Sequence, residues 1–227
     1  MNIPRWLVGL LGAFLTLSLP VILIASPLYI FATPGFIRHE YGQKGFPPSE
    51  RFHDAERLRL SDTILDYLRG RASLEKMASM RTDGGEIALR DEETQHLVDV
   101  KGVMDGFFLA HGIALGLALL CLVILWSSGH RSLIPRLLRQ GVWITMGIIA
   151  FVVVASFVNF DLFFTRFHEI FFEANSWIFY QDDTLIQLYP LPLWQDAVWK
   201  IGAVVLLELG TVYGLSFALE RLERAVR

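Results

Sequence analysis

The pattern of apolar and polar positions divides this chain into four long hydrophobic stretches, which lie at about 6–32, 103–126, 141–159 and 197–219. A helix rises about 1.5 Å per residue, so stretches of this length can cross about 30 Å of hydrocarbon. The pattern therefore predicts four transmembrane helices in one membrane domain over 1–227, with larger polar connections at 34–102 and 160–196. The predicted fold class is an all-α integral membrane protein.

The first stretch is expected to be a retained helix and not a cleaved signal peptide. Its apolar run is longer than a typical signal core, Arg5 is the one basic residue before it, and Ser26-Pro27 is a poor cleavage site. Pro20 and Pro27 predict a bend, because proline removes a backbone donor inside a helix. We expect the helix to end at 33–35.

The connection at 34–102 predicts short helices and turns. Residues 46–49 suggest a turn and a helix start, and Ser61-Asp62 can cap a helix that runs through Leu68 and is closed by Gly70. A second short helix is expected at 72–80, followed by a tight turn at 83–85. This region is too small to hold a separate large core, so we expect it to pack on the membrane surface.

A further helix is predicted to begin at Asp91 and to run without a break through His96 into the second span. Asp91 can cap it, and acidic residues are favourable in the first turn of a helix. Glu92 lies four residues before His96 and Asp99 three residues after it, on the same helical face. Either carboxylate can therefore hold one ring nitrogen of His96 and fix its tautomer.

The connection at 160–196 is rich in aromatic residues and carries a second histidine. Residues 162–172 predict an interfacial helix in which phenylalanines flank His168, while Arg166 and Glu169 are spaced to form an ion pair. Trp177 continues the aromatic run, and residues 182–184 predict a turn. The phenylalanines expected beside His168 are Phe164, Phe171 and Phe172.

The distribution of basic residues predicts the orientation in the membrane. The 127–140 loop carries three arginines and no acid, and three more arginines follow the last span. The 161–196 segment has Arg166 as its one basic residue against six acids. Positively charged connections stay in the cytoplasm. Both termini are therefore expected in the cytoplasm, with the outer region at 34–102 and the second outer loop at 160–196 on the other side of the membrane.

Composition excludes several classes of function. Hydrophobic residues make up 53% of the chain and charged residues 19%, which favours an integral membrane protein over a soluble domain. A net charge of −3 gives no electrostatic basis for binding nucleic acid. The single cysteine, Cys121, excludes an internal disulfide, and its apolar surroundings indicate a small hydrophobic residue and not a nucleophile.

No specific enzyme motif is present, so the candidate chemistry depends on the histidines. His96 and His168 are both predicted at the outer membrane interface, each next to acids and aromatics. Such residues are more often packing or headgroup contacts than catalysts, and a two-histidine metal site with Glu92, Asp99 or Glu169 as third ligand has no supporting spacing. His111 and Glu208 are secondary candidates because ionisable groups inside a membrane are often functional. The remaining histidines are interpreted as surface residues: His39, His53 and His130.

Two segments resemble the lipoprotein intramolecular transacylase family of four-span membrane proteins. They are Arg90-Asp91-Glu92-Glu93-Thr94-Gln95-His96-Leu97-Val98-Asp99-Val100-Lys101, and Arg166-Phe167-His168-Glu169-Ile170-Phe171-Phe172 with Trp177-Ile178-Phe179. The order of the segments and the number of spans also match. The resemblance implies transfer of the sn-2 acyl chain of a bacterial diacylglyceryl lipoprotein to the α-amine of its N-terminal cysteine. It also implies a bacterial cytoplasmic membrane location, with the active site at the outer face.

The resemblance implies that His96 and His168 form the catalytic pair. One imidazole would take the proton of the amine, and the other would donate to the leaving oxygen or stabilise the oxyanion. Glu92, Asp99, Arg166, Glu169 and Trp177 are expected to support the histidines or the substrate. The expected partners are the lipoprotein and membrane lipid, with no cofactor and no metal. Rings about 3–5 Å apart, directly or through one water, would suit joint acid–base work.

Two other classes of function remain open from the residues alone. A different interfacial lipid enzyme, such as a metal-dependent hydrolase, would use the same histidines as ligands. A non-enzymatic scaffold or transporter component would depend instead on Glu208 or His111.

Overall fold

The computed structural model describes residues 3–225, which form helices joined by short connections. The predicted all-α class is confirmed, and four of the helical segments are long and apolar enough to cross a membrane. In chain order the helices are α1 (Arg5–Ala25), α2 (Leu28–Phe31), α3 (Pro34–Tyr41), α4 (Asp54–Leu68), α5 (Leu74–Ala78), α6 (Asp91–Ser127), a 3-10 turn (Arg131–Leu133), α7 (Ile134–Val158), α8 (Phe160–Phe171), α9 (Thr184–Leu188) and α10 (Leu191–Ala225).

The four spanning segments expose most of their apolar surface. They are Arg5–Phe31, Asp91–Ser127, Arg131–Val158 and Leu191–Ala225, and only 22–39% of the apolar window of each is buried within the protein. So much exposed hydrocarbon is unfavourable in water and favourable in a bilayer. The protein is therefore a multi-pass membrane protein.

The first spanning segment ends at Phe31, just before the expected end at 33–35, and these residues begin α3. The side chain of Thr33 accepts a hydrogen bond from the backbone N–H of Phe36 at 3.3 Å, and Pro34 occupies the first helical position. Proline is favourable there because that N–H has no intrahelical partner. The long helix of the first span, α1, ends earlier, at Ala25, just before Pro27.

The chain folds as two compact units. The first comprises residues 3–27, Phe107–Val154 and 201–225. Its core consists of apolar side chains, and the predicted hydrophobic role of Cys121 is confirmed, since its side chain is fully buried there. Gly141 allows close approach of α1 and α7, because a Cβ at this position would lie 2.9 Å from the carbonyl oxygen of Thr16.

The second unit comprises Leu28–Gly106 and Ala155–Lys200 and contains both candidate histidines, His96 and His168. Its helix α4 begins at Asp54, where the ring of His53 caps the helix by accepting from the backbone N–H of Glu56. The predicted start at 46–49 and the capping role of Ser61 are therefore wrong. The predicted close at Gly70 is confirmed, and this residue has the positive φ of 71° that glycine adopts without strain.

Helix α6 runs unbroken from Asp91 to Ser127, as predicted. Asp91 is its first residue and not its cap. The N–H of the preceding residue, Arg90, instead donates to Oε2 of Glu93 at 2.9 Å, which is one half of a capping box. The predicted helix at 162–172 is also present as α8, with the side chain of Asn159 accepting from the N–H of Leu162 at 2.9 Å.

Candidate active site

His96 lies in the second turn of α6 and is buried among aromatic rings. Its side chain is 9% exposed, and its ring centroid lies 4.9 Å from that of Phe172 and 5.4 Å from that of Phe179. The Nδ1 atom of His96 is buried and has no hydrogen-bond partner among the described residues. Buried polar atoms are nearly always hydrogen-bonded. Because this nitrogen has no such bond, it is available to a bound molecule.

His168 lies near the end of α8 with its tautomer set by the backbone. Its Nδ1 is 2.8 Å from the carbonyl oxygen of Phe164. A carbonyl oxygen only accepts, so Nδ1 carries the proton and donates it, and Nε2 of the neutral ring holds the free lone pair. Burial lowers the pKa of His168 below its ordinary value, and the bond to Phe164 offsets part of that effect. A neutral imidazole with an available lone pair is the form that a general base needs.

The two imidazoles face each other within one cluster. Their ring centroids are 6.4 Å apart, and their planes differ by 24°. This separation is longer than the roughly 3–5 Å, directly or through one water, that would suit joint acid–base work, and the two rings are stacked. The ring of Phe172 contacts both, since its centroid is 5.5 Å from that of His168. The cluster therefore offers two imidazoles to one bound group.

Trp177 packs on the second histidine. The indole and the His168 ring have centroids 4.7 Å apart and planes inclined by 33°. Phe164 lies on the same imidazole at 4.1 Å, so the predicted flanking by Phe164 and Phe172 is confirmed. The Nε1 atom of Trp177 is buried and has no hydrogen-bond partner among residues 3–225.

The predicted supporting carboxylates do not bond to Nδ1 of His96. Asp99 accepts instead from Nε2 of Gln95 at 3.1 Å, because that amide lies one helical turn before it. Glu92 is exposed. The predicted pair between Arg166 and Glu169 is confirmed at 2.7 Å, with both side chains open to solvent.

A second polar network, which we call the clasp, consists of Arg90, Glu93, Asp183, Thr184 and Leu185, and the sequence patterns did not predict it. Glu93 is fully buried, and its Oε1 accepts from the backbone N–H of Leu185 at 2.7 Å. Asp183 forms an ion pair with Arg90 and also accepts from the N–H of Tyr180 at 2.6 Å. Thr184 donates to the carbonyl of Ala88. The clasp ties the start of α6 to the end of the aromatic segment that surrounds the histidines.

The other candidates lie in different surroundings. In the first unit, Oε1 of Glu208 accepts from the Ser26 hydroxyl at 2.6 Å, and His111 is buried. His53 and two carboxylates, those of Glu56 and Asp83, have potential metal-ligand atoms within 4.8 Å of one another. This group is not the predicted ligand set, and Arg59 already donates to Asp83 at 2.8 Å.

The chain is similar to known proteins over most of its length. The family model of the lipoprotein intramolecular transacylase Lit matches residues 11–194. A protein of Aquifex aeolicus (strain VF5), described as uncharacterized, is 28% identical over 190 residues, which make up 82% of this chain and 84% of that protein.

Two solved structures of the membrane integral lipoprotein intramolecular transacylase Lit from Bacillus cereus share the fold. The first aligns with a TM-score of 0.84 and 17% identity, covering 98% of this chain and 100% of the other. A second, in which one histidine is replaced by alanine, aligns with a TM-score of 0.70 and 17% identity, covering 96% of each chain.

Proposed function

Because the chain belongs to the lipoprotein intramolecular transacylase (Lit) family, we propose that it transfers an acyl chain within one diacylglyceryl lipoprotein molecule. The protein is an acyltransferase of the membrane. In the proposed reaction the sn-2 acyl chain moves from the glyceryl oxygen to the α-amine of the N-terminal cysteine, which leaves an N-acylated lyso-form lipoprotein. The observation that carries this proposal is that His96 and His168 lie in one aromatic cluster, with their ring centroids 6.4 Å apart.

His168 acts as the general base in this proposal. Its Nδ1 proton is committed to the carbonyl of Phe164, so the lone pair on Nε2 is the one that can accept a proton. The amine nitrogen attacks the ester carbonyl carbon, and its proton passes to Nε2 of His168. Other acyl-transfer enzymes use the same arrangement, in which a hydrogen bond to one ring nitrogen fixes the tautomer and the other nitrogen acts as the base.

His96 acts as the hydrogen-bond donor on the opposite side of the reacting ester. A buried imidazole among phenyl rings favours the neutral form, which can still stabilise an oxyanion through one N–H. When the bond between the acyl carbon and the glyceryl oxygen breaks, that oxygen takes up the proton that Nε2 of His168 received from the amine. His168 returns to its neutral form, and no water is consumed.

The substrate itself supplies much of the rate enhancement. Amine and ester belong to one molecule, so the reaction needs no acyl-enzyme and benefits from an effective concentration that can reach about 10⁵ M or more. The protein has to fold the glyceryl group back on the amine and hold it there. A rigid aromatic cluster around two imidazoles is suited to that task.

The proposed substrate also fits a site at a membrane surface. We infer that the termini lie in the cytoplasm and that the histidines lie at the outer face, where a lipoprotein N-terminus is anchored by its acyl chains. Aromatic residues such as those of α8 prefer the headgroup region. The exposed pair of Arg166 and Glu169 is then placed to meet charges at headgroup level.

The test is a purified-protein assay with a synthetic diacylated lipopeptide, in which mass spectrometry locates the acyl chain. The wild-type protein should produce the N-acyl lyso-peptide, and His96→Ala and His168→Ala should each reduce its formation by about a hundredfold or more. His39→Ala is the matched control, because His39 is an exposed histidine bonded to Gln43. Normal product from either site variant, or activity that a chelator abolishes, would contradict the proposal.

A further inference from the structure

We propose that the indole N–H of Trp177 donates a hydrogen bond to the acyl carbonyl oxygen of the substrate and stabilises it as an oxyanion. This inference rests on the transacylase function proposed above and assigns to Trp177 a catalytic role within it.

The Nε1 atom of Trp177 is buried and has no hydrogen-bond partner among the described residues. An indole nitrogen can only donate, so the one interaction open to it is with an acceptor. Burying a polar group without a partner is unfavourable, and native proteins avoid it except where a water, an ion or a function accounts for it. The acceptor therefore has to come from outside the described residues, 3–225.

The surroundings of Trp177 identify the kind of acceptor. Its ring lies against His168 at 4.7 Å between centroids, so the N–H belongs to the same cluster as the proposed base. Nδ1 of His96 is the other buried nitrogen of this cluster without a partner among residues 3–225. An ester carbonyl held beside His168 presents an oxygen with two lone pairs, which two nitrogen donors can share.

The chemistry of the step gives this hydrogen bond a role in the transition state. As the amine nitrogen bonds to the carbonyl carbon, the π electrons of the carbonyl move onto its oxygen. A donor that is already in place and shielded from water stabilises this developing charge more than the neutral ester. The charge returns to the carbonyl when the bond to the glyceryl oxygen breaks, and Trp177 keeps its proton throughout.

A second tryptophan of the same unit shows the ordinary alternative. The indole N–H of Trp194 donates to the carbonyl of Tyr189 at 3.0 Å, and its ring lies 6.3 Å from that of Phe164. Both tryptophans therefore contact the same phenylalanine, and of the two only Trp177 is without an acceptor in the described chain. Trp194 is a matched control for the loss of an indole N–H.

The experiment compares Trp177→Phe with Trp194→Phe in the lipopeptide assay, with thermal unfolding measured on the same preparations. Trp177→Phe keeps an aromatic ring against His168 and removes the donor. We expect kcat to fall about 10²–10³-fold with KM nearly unchanged. The melting temperature should stay the same or rise, because the donor that is removed has no partner to lose. Trp194→Phe should lower the melting temperature while kcat stays within about twofold of the wild type.

The outcomes separate this inference from the proposed function. A kcat for Trp177→Phe within about threefold of the wild type would overturn the inference, while inactivity of the His96 and His168 variants would still support the transacylase. A loss of activity that accompanies a lowered melting temperature would also overturn it, because the residue would then act through folding. Full activity of the two histidine variants would instead contradict the proposed function.

Discussion

Two neighbouring regions of the second unit treat their buried polar groups in opposite ways. In the clasp, both carboxylate oxygens of Glu93 accept backbone N–H groups, at 2.9 Å and 2.7 Å. In the histidine cluster, Nδ1 of His96 and Nε1 of Trp177 are buried without partners among residues 3–225. A fully bonded network holds the backbone in place, whereas an unpaired atom can bind something else. This difference supports the proposal that the cluster performs the chemistry, while the clasp fixes the backbone around it.

The largest expected effect comes from removing the proposed base without disturbing the fold. His168→Asn keeps an amide N–H that can donate to the carbonyl of Phe164, as Nδ1 does now at 2.8 Å, and it removes the lone pair on Nε2. We expect the rate to fall about 10²–10⁴-fold, because a positioned base contributes that much. Thermal unfolding should be nearly unchanged.

This variant can break the comparison. If His168→Asn lowers the melting temperature as well as the rate, His168 stabilises the fold, as the clasp does. The lipopeptide assay and a melting curve in the same detergent distinguish the two results.

The second prediction concerns the clasp and has the opposite signature. Glu93→Gln leaves one acceptor oxygen and places an amide N–H₂ against a backbone N–H of Arg90 or Leu185. We expect the free energy of unfolding to fall by about 2 kcal/mol, because a buried donor loses a charged acceptor. Activity should fall together with stability, since the aromatic segment that follows Phe172 is then held less firmly.

The control for this change is the adjacent residue. Glu92 occupies the same first turn of α6 but is exposed, so Glu92→Gln should alter the stability by no more than about 0.5 kcal/mol. Equal effects of the two substitutions would show that the helix dipole, and not the clasp, is what Glu93 serves. Chemical unfolding in detergent, followed by circular dichroism, gives both values.

The long helices could be predicted from sequence because their signal is repeated along each element. Each span is a long run of mainly apolar residues, and the helix through His96 carries acids in its first turn, so many positions agree on one answer. The short helices depended on single residues, and the predicted start of α4 was wrong although its end at Leu68 and the helix α5 within 72–80 were confirmed. Ser61 is a good capping residue that lies inside α4 and bonds to the hydroxyl of Tyr41. His53 caps the helix instead, which residue preference did not indicate.

The clasp could not be predicted because its partners are far apart in the chain. Glu93 and the N–H of Leu185 are 92 positions apart, and a backbone donor has no sequence signature. Asp183 and Thr184 have the residue types of a turn, so nothing marked them as a link to α6. The one signal in the sequence was an acid, Glu93, three residues before His96 on the helix that carries it.

The residues of the candidate site could be predicted, but its geometry could not. Resemblance placed His96 and His168 in one site, yet the separation of 6.4 Å and the tautomer of His168 depend on how α8 packs. The expected bond from a carboxylate to His96 also depended on geometry. Asp99 has the right spacing and bonds to Gln95 instead.

The third prediction sharpens the role of burial in the cluster through pH dependence. Burial lowers the pKa of His168, so its ring stays neutral below the ordinary value of about 6.5. Activity should therefore persist as the pH falls to about 6.5 and be lost as the pH falls further, through the lowered pKa. Below that pKa the rate should drop about tenfold per pH unit, because only the neutral ring accepts a proton.

A variant at Phe164 tests whether burial is the cause. Its ring lies 4.1 Å from the His168 ring, and its carbonyl, which holds Nδ1, belongs to the backbone. Phe164→Ala therefore admits water to His168 and keeps the hydrogen bond that fixes the tautomer. With less desolvation the pKa of His168 should rise, and the acidic limb of the activity profile should move to higher pH.

Phe167→Ala is the control, because the ring of Phe167 lies farther away, at 5.6 Å, and is exposed. An unchanged limb in Phe164→Ala would mean that the group titrating in the profile is not the buried imidazole of His168.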